Sequence, residues 1–351
     1  MSRRSRRAPS PLPQREGIDA VRLRLPVERR WPTVLDHLVE RLPVPAGEVE
    51  AMVRDGAVVT ADGRPVNPGT AYLPGGSVWF HRERAPEAAV PFGIEVVHRD
   101  AHLVVADKPH FLATTPRGSH ITETALARLR RRLGLPGLSP AHRLDRLTAG
   151  LVLFTVVPGE RGAYQKLFAE RRVHKEYEAI APFDPALALP RTVRSRIVKD
   201  RGVIAAREQP GEPNAVTEIE LLEHRPVAAP PGSGPAGTRD LGRYRLLPRT
   251  GRTHQLRVHM NALGLPLLGD PVYPEVRDPA PDDYRRPLQL LSRVLEFTDP
   301  VTGEPRAFES RRTLLAWTDH GRWTTDGPAT GEEITGEGAI DGAAAGGGAT
   351  G

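Results

Sequence analysis

Short apolar runs arrive in adjacent pairs along the middle of this chain, and that arrangement leaves few folds open to it. Ile94–His98 and Leu103–Ala106 follow one another closely, and Leu151–Val156 has the composition of a buried strand. Tyr177–Ala181 and Val216–Leu221 alternate like half-buried strands. The chain has 34 glycines and 36 prolines in 351 residues, enough to place a turn between most runs. The pattern predicts an α+β fold with a mixed, mainly antiparallel sheet and helices on its faces.

Composition excludes several classes of protein. The chain has no cysteine, which excludes a disulfide scaffold, a thiolate nucleophile and cysteine-ligated zinc. No apolar stretch has the roughly 18 residues that a membrane span needs, and the arginine-rich start has no apolar segment behind it. We therefore expect a cytoplasmic protein with no membrane partner.

Changes in composition divide the chain into five parts. Residues 1–17 are predicted to be a disordered basic arm, and residues 325–351 a disordered, acidic tail rich in glycine and alanine. Between them, we expect a small domain at 18–84, a linker at 85–92 and a large domain at 93–324. A proline-rich stretch at 230–235 is expected to be a flexible loop within the large domain.

The small domain is predicted to contain two helices followed by short strands. The apolar spacing from Val34 to Leu42 and a second pattern at Gly47–Arg54 are helical. Strands are expected at Ala57–Thr60, Pro65–Val66 and Gly76–Phe80. This order resembles the compact RNA-binding domain first described in a ribosomal protein of the small subunit. A generic α+β cap without RNA affinity remains the alternative.

The charge balance favours an anionic partner. The formal net charge is +6, with a sequence pI of about 9.9. The basic start and the acidic end roughly cancel, so the excess lies in the expected globular part. Such a surface suits a polyanion, although charge alone supports this only weakly.

One motif places a carboxylate among arginines. Asp145 lies between Arg143 and Arg146, in a predicted loop just before a buried strand. Neighbouring guanidinium groups favour the ionised form of a carboxyl group, so we expect Asp145 to be charged. Composition alone also allows a surface cluster of salt bridges at this position.

A second motif crowds positive charge at the start of a helix. We expect Thr253 to cap this helix and Gly264 to end it. Arg252, His254 and Arg257 all lie near its first turn, where the helix dipole disfavours cations. An RNA phosphate or a catalytic carboxylate would compensate for that cost.

These motifs together resemble the signature of RluA-type pseudouridine synthases, over roughly residues 93–310. Three residues depart from the usual pattern, namely Ala149, Leu265 and the histidine that follows Pro109. None is the presumed catalytic carboxylate, so they bear on the subgroup and the target. The matching segments, in family order, are Val105–Pro109, His142–Asp145, Thr148–Leu151, Lys175–Tyr177, Thr250–His259 and Leu268–Tyr273.

The resemblance implies an isomerase that converts uridines of rRNA or tRNA to pseudouridine. That reaction moves the bond of the ribose from the base nitrogen to ring carbon 5 without redox change, so no cofactor and no metal are expected. By resemblance, Asp145 is the catalytic nucleophile or base, Arg257 pairs with it, and Tyr177 stacks on the target base and assists proton transfer. Four further residues are expected to bind RNA in a monomeric enzyme: Arg143, which would fill the gap left by the flipped base, Lys175, Arg252 and His254.

Other interpretations remain open at the sequence level. A catalytically silent RNA-binding protein with the same fold would need neither Asp145 nor Tyr177. A metal-dependent phosphohydrolase would use His142 together with Asp145, but it needs further ligands at suitable spacing. A glycosidase needs a second carboxylate, and Asp270 is interpreted as a turn former. Lys108 is expected to be a surface charge at the end of a strand.

Overall fold

The computed structural model describes residues 10–28, 30–83, 86–228, 238–277, 279–280 and 283–325. The expectations for residues 1–9, for the loop at 230–235 and for residues 326–351 lie outside these ranges. Within them, no helix is long and apolar enough to cross a membrane. The described residues form a small unit, built on a three-stranded sheet, and a large unit, built on an 11-stranded sheet.

The small unit packs two helices against its sheet. Helix α1 begins with a capping box, in which Thr33 and Asp36 each bond the other's backbone amide. Leu38, Val53 and Phe80 belong to a buried apolar cluster of this unit alone. The predicted strand at Pro65–Val66 is only an isolated bridge to Val59. The elements are β1 Val21–Arg24, α1 Val34–Arg41, α2 Ala46–Arg54, β2 Val59–Thr60 and β3 Ser77–Phe80.

Parts of the predicted basic arm and of the predicted linker lie against the large unit. Gln14, assigned to the basic arm, donates to the carbonyl of Pro136 at 2.9 Å, and Arg130 donates to the carbonyl of Gly17 at 3.0 Å. In the expected linker, the Glu87 carboxylate accepts the backbone amides of residues 121–123. Gln14 and Gly17 of the predicted arm and Glu87 of the predicted linker thus contact the large unit.

The large unit is a mixed sheet in which one neighbouring pair of strands, β13 and β7, is parallel and the other described pairs are antiparallel. This confirms the predicted fold class. Its spatial order is β10-β9-β11-β12-β8-β13-β7-β5-β4, and β14 and β6 pair with β13 and β7. The strands are β4 Glu95–Arg99, β5 Leu103–Lys108, β6 Ser139–Pro140, β7 Ala149–Thr155, β8 His174–Pro182, β9 Arg191–Val198, β10 Arg207–Gln209, β11 Ala215–Ala228, β12 Thr238–Pro248, β13 Leu290–Thr298 and β14 Pro305–Glu309.

Helices cover both faces of this sheet because its inner strands are apolar on both sides. Along β5, Val104 and Ala106 pack in one cluster with Leu129 of α3, whereas Leu103 and Val105 pack in another with α4. This alternation is the two-residue period of a strand. The helices of the large unit are α3 Ala125–Leu133, α4 Arg161–Ala169, α5 Gln255–Ala262, α6 Leu315–Thr318 and α7 His320–Thr325.

Helix α5 begins one residue later than the sequence predicts. Its N-cap is His254, which has a left-handed backbone (φ 57°) and makes no side-chain capping bond, so the expectation that Thr253 caps the helix is wrong. The predicted end holds, because Gly264 has φ +77° directly after the C-cap residue Leu263. Leu256 and Met260 pack against β8, β11 and β12.

The parallel junction positions the loop that holds Asp145. Gly150 at the start of β7 pairs with Ser292 of β13, and Ser292 also pairs with Tyr177 of β8. The end of the Asp145 loop is therefore one strand away from Tyr177. Gly150 has φ +108°, and a Cβ there would collide with the backbone of Ser292, so this close approach requires glycine.

Candidate active site

The backbone on both sides of Asp145 is fixed by hydrogen bonds. The Thr114 hydroxyl donates to the carbonyl of Leu144 at 2.8 Å and accepts its amide at 3.2 Å. On the other side, the His110 ring bonds the carbonyl of Leu147 at 2.8 Å. Burial lowers the pKa of His110 to about 3, so this ring is neutral and donates through Nδ1. The Asp145 carboxylate therefore projects from a loop that cannot easily move.

Lys108 is a buried structural cation, which corrects the expectation of a surface charge. Its side chain is fully buried, and its ammonium group donates to the carbonyls of Pro109 (2.9 Å), Leu112 (2.8 Å) and Arg146 (3.3 Å). Burial and the nearby Arg312 lower its pKa well below the usual value, whereas Asp145 acts in the opposite direction. Lys108 thus ties the end of β5 to the residue that follows Asp145.

Strand β8 contributes Tyr177 and Lys175 from the same face, two residues apart. Tyr177 is half-buried between the two main apolar clusters of the large unit. Burial raises the pKa of its phenol to about 12, whereas Ser292 acts in the opposite direction and Asp145 adds a smaller increase. Burial, together with Arg171, lowers the pKa of Lys175. Tyr177 is therefore a neutral phenol at physiological pH.

Arg257 of α5 is bound mainly by Asp270 and only secondarily by Asp145. Its Nε and Nη2 donate to the two Asp270 oxygens at 2.7 and 2.6 Å, and both side chains are buried. The remaining nitrogen, Nη1, lies 3.8 Å from Asp145 Oδ2. The expected pair of Arg257 with Asp145 is therefore present as a longer contact, and Asp270 is a second, closer partner that the sequence did not reveal.

Asp270 does more than form a turn. Its Oδ1 accepts the amides of Val272 (2.8 Å) and Tyr273 (3.2 Å), as the turn interpretation implies. The same carboxylate orients the Arg257 guanidinium, which lies over the ring of Tyr273 at 5.2 Å. Two carboxylates, Asp145 and Asp270, thus supply the negative charge that the crowded start of α5 requires.

The loop before α5 is held by Gln255, a residue that the sequence analysis did not single out. Its amide oxygen accepts from the Thr250 hydroxyl at 2.7 Å and from the backbone of Arg252 at 3.0 Å. Its amide nitrogen donates to the Val216 carbonyl and the Thr217 hydroxyl on β11. Gln255 therefore anchors the segment that carries Arg252 and His254.

These elements meet at one open cleft with an empty volume of about 560 Å³. The Asp145 side chain remains 39% exposed to it, whereas that of Arg257 is 3% exposed. All seven residues selected from the sequence line this cleft: Arg143, Asp145, Lys175, Tyr177, Arg252, His254 and Arg257.

A basic cavity adjoins this cleft and shares Lys175 and Pro248 with it. Its other lining residues include Phe168, Arg171 and Arg249. A cavity with several cations and an aromatic ring has the character of a polyanion surface.

His142 faces away from the cleft. Its Nε2 accepts the backbone amide of Leu153 at 3.0 Å, and its ring stacks on Phe168 at 4.2 Å. Burial lowers its pKa to about 3, with a smaller effect of Lys175. In the described part of the chain, no three His, Asp or Glu side chains cluster in a way that could hold a metal ion. His142 thus has a structural place, and the pairing of His142 with Asp145 required by the phosphohydrolase interpretation is not seen.

Three residues at this site were missed or misread. Lys108 and Asp270 both lie within the motifs quoted above, but neither motif reveals that its charge is buried. Gln255 gave no signal of its own. A buried arginine requires a carboxylate partner, and this rule could have directed attention from Arg257 to Asp270.

Comparisons with known proteins agree with this geometry. Residues 102–262 match the family model described as RNA pseudouridylate synthase. The dual-specificity RNA pseudouridine synthase RluA of Pasteurella multocida is 30% identical over 234 residues, which cover 62% of this chain and 92% of that protein. The ribosomal large subunit pseudouridine synthase D of Neisseria meningitidis serogroup A is 29% identical over 278 residues, covering 74% and 69%. The solved structure of human RNA pseudouridylate synthase domain containing 1 is similar with a TM-score of 0.52 and 25% identity, covering 67% and 90%.

Proposed function

Because the chain belongs to the RluA-type family of RNA pseudouridine synthases, we propose that it isomerises uridines of ribosomal or transfer RNA to pseudouridine. The chain is an isomerase by this membership. The name of one relative refers to the large ribosomal subunit, and transfer RNA is the second class that the family resemblance implies. The observation that carries the proposal is the single cleft that gathers Asp145, Tyr177 and Arg257. Since one chain builds the whole cleft, we propose that the enzyme is a monomer. We also propose that it acts in the cytoplasm.

Asp145 is the group proposed to act on the ribose. The reaction breaks the bond between N1 of the base and C1′, rotates the base, and forms a bond between C5 and C1′. C5 loses a proton and N1 gains one, so the product is an isomer of the substrate. An ionised carboxylate can serve as the nucleophile at C1′ or as a base at the sugar. The side chain suits either role, because Arg257 lies 3.8 Å away and the carboxylate remains accessible from the cleft.

Tyr177 is proposed to hold the base rather than to remove its proton. Its pKa of about 12 keeps the phenol protonated near neutral pH, so it cannot accept the proton that leaves C5 without first losing its own. Its half-buried ring is fixed in β8 between two apolar clusters. A rigid aromatic face of this kind suits stacking on a flipped pyrimidine.

The flanking RNA is proposed to follow the cations at the mouth of the cleft. Arg143 is exposed on the Asp145 loop, where it can enter the gap left by the flipped base. Arg171 and Lys175 line the adjoining basic cavity, where burial and next the charge of Arg171 lower the pKa of Lys175, an effect that a nearby anion would oppose. Phosphates of the RNA backbone would supply that anion.

The test is tritium release from RNA labelled at C5 of uridine. Unmodified transcripts of large-subunit ribosomal RNA and of a tRNA pool are incubated with the purified chain, and the modified uridines are then mapped. We expect release from at least one RNA. Binding of these RNAs without any release would favour the alternative, a non-catalytic RNA-binding protein of the same fold.

A further inference from the structure

His254 lies against Asp145 in a constrained setting. Its ring is held by Tyr273, whose hydroxyl oxygen is 3.1 Å from Nδ1, and its Nε2 lies 3.8 Å from Asp145 Oδ2. The side chain is only 12% exposed, and its backbone has the left-handed conformation that few residues adopt. The ring makes no capping bond to the helix, so its contacts are with Tyr273 and with the Asp145 side of the cleft.

The hydrogen bonds of Tyr273 determine which ring nitrogen carries the proton. The Tyr273 hydroxyl lies 2.9 Å from both the carbonyl and the amide of Ala206, and both residues are buried. A buried carbonyl requires a donor, so the hydroxyl proton is directed to Ala206. The hydroxyl therefore receives a proton from the His254 ring, and Nδ1 is the donor.

The other ring nitrogen is then an acceptor that faces the cleft. Burial, and next the charge of Arg257, lower the pKa of His254, although Asp145 acts in the opposite direction. The neutral imidazole has a lone pair on Nε2, on the side of the ring that lies against Asp145. Arg257 Nη1 faces the same Asp145 oxygen, so among the described residues Nε2 is the acceptor that is left for a donor on a bound ligand.

We propose that His254 Nε2 accepts a hydrogen bond from the 2′-hydroxyl of the target nucleotide, and that this contact selects ribose over deoxyribose. The inference rests on the proposed function. A uridine inside an RNA chain has only two hydrogen-bond donors, the 2′-hydroxyl and the base N3–H. The 2′-hydroxyl is on the carbon next to C1′, where Asp145 acts, whereas N3–H lies across the base ring. An acceptor 3.8 Å from the Asp145 carboxylate therefore meets the 2′-hydroxyl.

Two substitutions distinguish the roles of the two nitrogens of the His254 ring. His254→Asn keeps an amide near the position of Nδ1 for Tyr273, tolerates a left-handed backbone and lacks any atom at Nε2. His254→Gln lacks the proximal donor but carries its amide oxygen to about the position of Nε2. A difference between these variants assigns the effect to the distal acceptor rather than to the integrity of the loop.

The probe is a synthetic RNA stem–loop that contains the uridine mapped as modified in the experiment above. One form has the natural 2′-hydroxyl at that uridine, and the other has 2′-fluorine, which is small and electronegative but has no proton to donate. Dissociation constants of both forms are measured by fluorescence anisotropy for the parent protein and both variants. Thermal unfolding midpoints show that each variant is folded.

We expect the parent protein to bind the hydroxyl form more tightly by about three- to tenfold, the range for one net hydrogen bond. This ratio should fall close to one in His254→Asn and be partly retained in His254→Gln. A parent ratio near one, or an unchanged ratio in folded His254→Asn, would overturn the inference. Failure of the proposed function is a separate result, because the parent protein would then release no tritium from any RNA.

Discussion

The two carboxylate oxygens of Asp270 accept hydrogen bonds from Nη2 and Nε of Arg257 at 2.6 and 2.7 Å, which leaves only Nη1 directed toward Asp145, at 3.8 Å. The arginine is thus held rigidly by one carboxylate while it presents charge to the other. This division explains how Asp145 can remain accessible beside a buried cation.

Removal of Arg257 should therefore destabilise the fold through Asp270. In Arg257→Ala the buried Asp270 charge loses its partner, and we expect the free energy of unfolding to fall by about 3–5 kcal/mol. Adding Asp270→Asn removes that charge but keeps an oxygen for the turn, so the double variant should recover part of the stability without recovering turnover. Urea unfolding measures the free energy of unfolding of the single and the double variant. Arg207→Ala, which breaks an exposed pair with Asp200, should change stability by less than about 1 kcal/mol. A double variant no more stable than Arg257→Ala would contradict this account.

Lys108 should matter for turnover as well as for stability. Lys108→Met keeps much of the volume but leaves three carbonyls, including that of Arg146, without their donor. We expect a loss of about 1–3 kcal/mol in unfolding free energy. Single-turnover rates should also fall, because the loop that holds Asp145 is no longer tied to β5. Lys166→Met, at an exposed position of α4, is the matched control. If Lys108→Met turns over at the rate of the parent protein, the hydrogen bonds of Lys108 do not position the loop that holds Asp145.

Buried neutral histidines should make the fold sensitive to acid. The pKa of His142 is about 3 in the folded protein, against 6.5 for the free side chain. The unfolded chain therefore binds the proton first as pH falls, so this contribution to stability is complete above about pH 6.5 and is lost on the way to pH 3. His142→Gln cannot titrate and keeps an acceptor for the Leu153 amide. Between about pH 6 and pH 4, its unfolding free energy should depend on pH less steeply, by up to about 1.4 kcal/mol per unit. An equal slope in urea titrations of the two proteins would contradict the assignment.

The small unit is predicted to add RNA affinity without taking part in the chemistry. Arg41 and Arg54 are exposed near the ends of its two helices. Arg41→Gln with Arg54→Gln should weaken RNA binding and lower the slope of log affinity against log salt by roughly one to two. The rate at saturating RNA should not change. Arg311→Gln, at an exposed arginine of the large unit that pairs with Glu95, serves as the control. If the slope of log affinity against log salt does not change, the small unit is better explained as a structural cap than as an RNA-binding module.

The strands with strong local patterns could be predicted from the sequence. Elements that depend on tertiary contacts could not. β5 and β7 are apolar on both faces, so their pattern is visible without a structure. β9 and β12 are rich in arginine, and only their pairing with β11 identifies them as strands. The Thr253 cap failed because the preceding loop is fixed by Gln255 and not by a local capping bond.

The candidate site shows the same division. Asp145, Tyr177 and Arg257 were selected through motif resemblance, and they share one cleft. The burial of Lys108 and the pairing of Asp270 depend on loops that meet only in the folded chain. Lys108 was interpreted as a surface charge and Asp270 as a turn former, because a charged residue is seldom buried without partners and the sequence does not show those partners.

Single-turnover product formation by Asp145→Asn at saturating RNA tests the central claim most directly. The substitution keeps the size of the side chain and removes its charge, while the hydrogen bonds of the loop backbone remain. We expect RNA binding as tight as that of the parent protein, or tighter, since a negative charge near phosphates is removed. Pseudouridine should fall below detection, because Asp270 is buried and bound to Arg257 and cannot replace Asp145. Substantial pseudouridine formation by folded Asp145→Asn would contradict the assignment of Asp145 as the catalytic group.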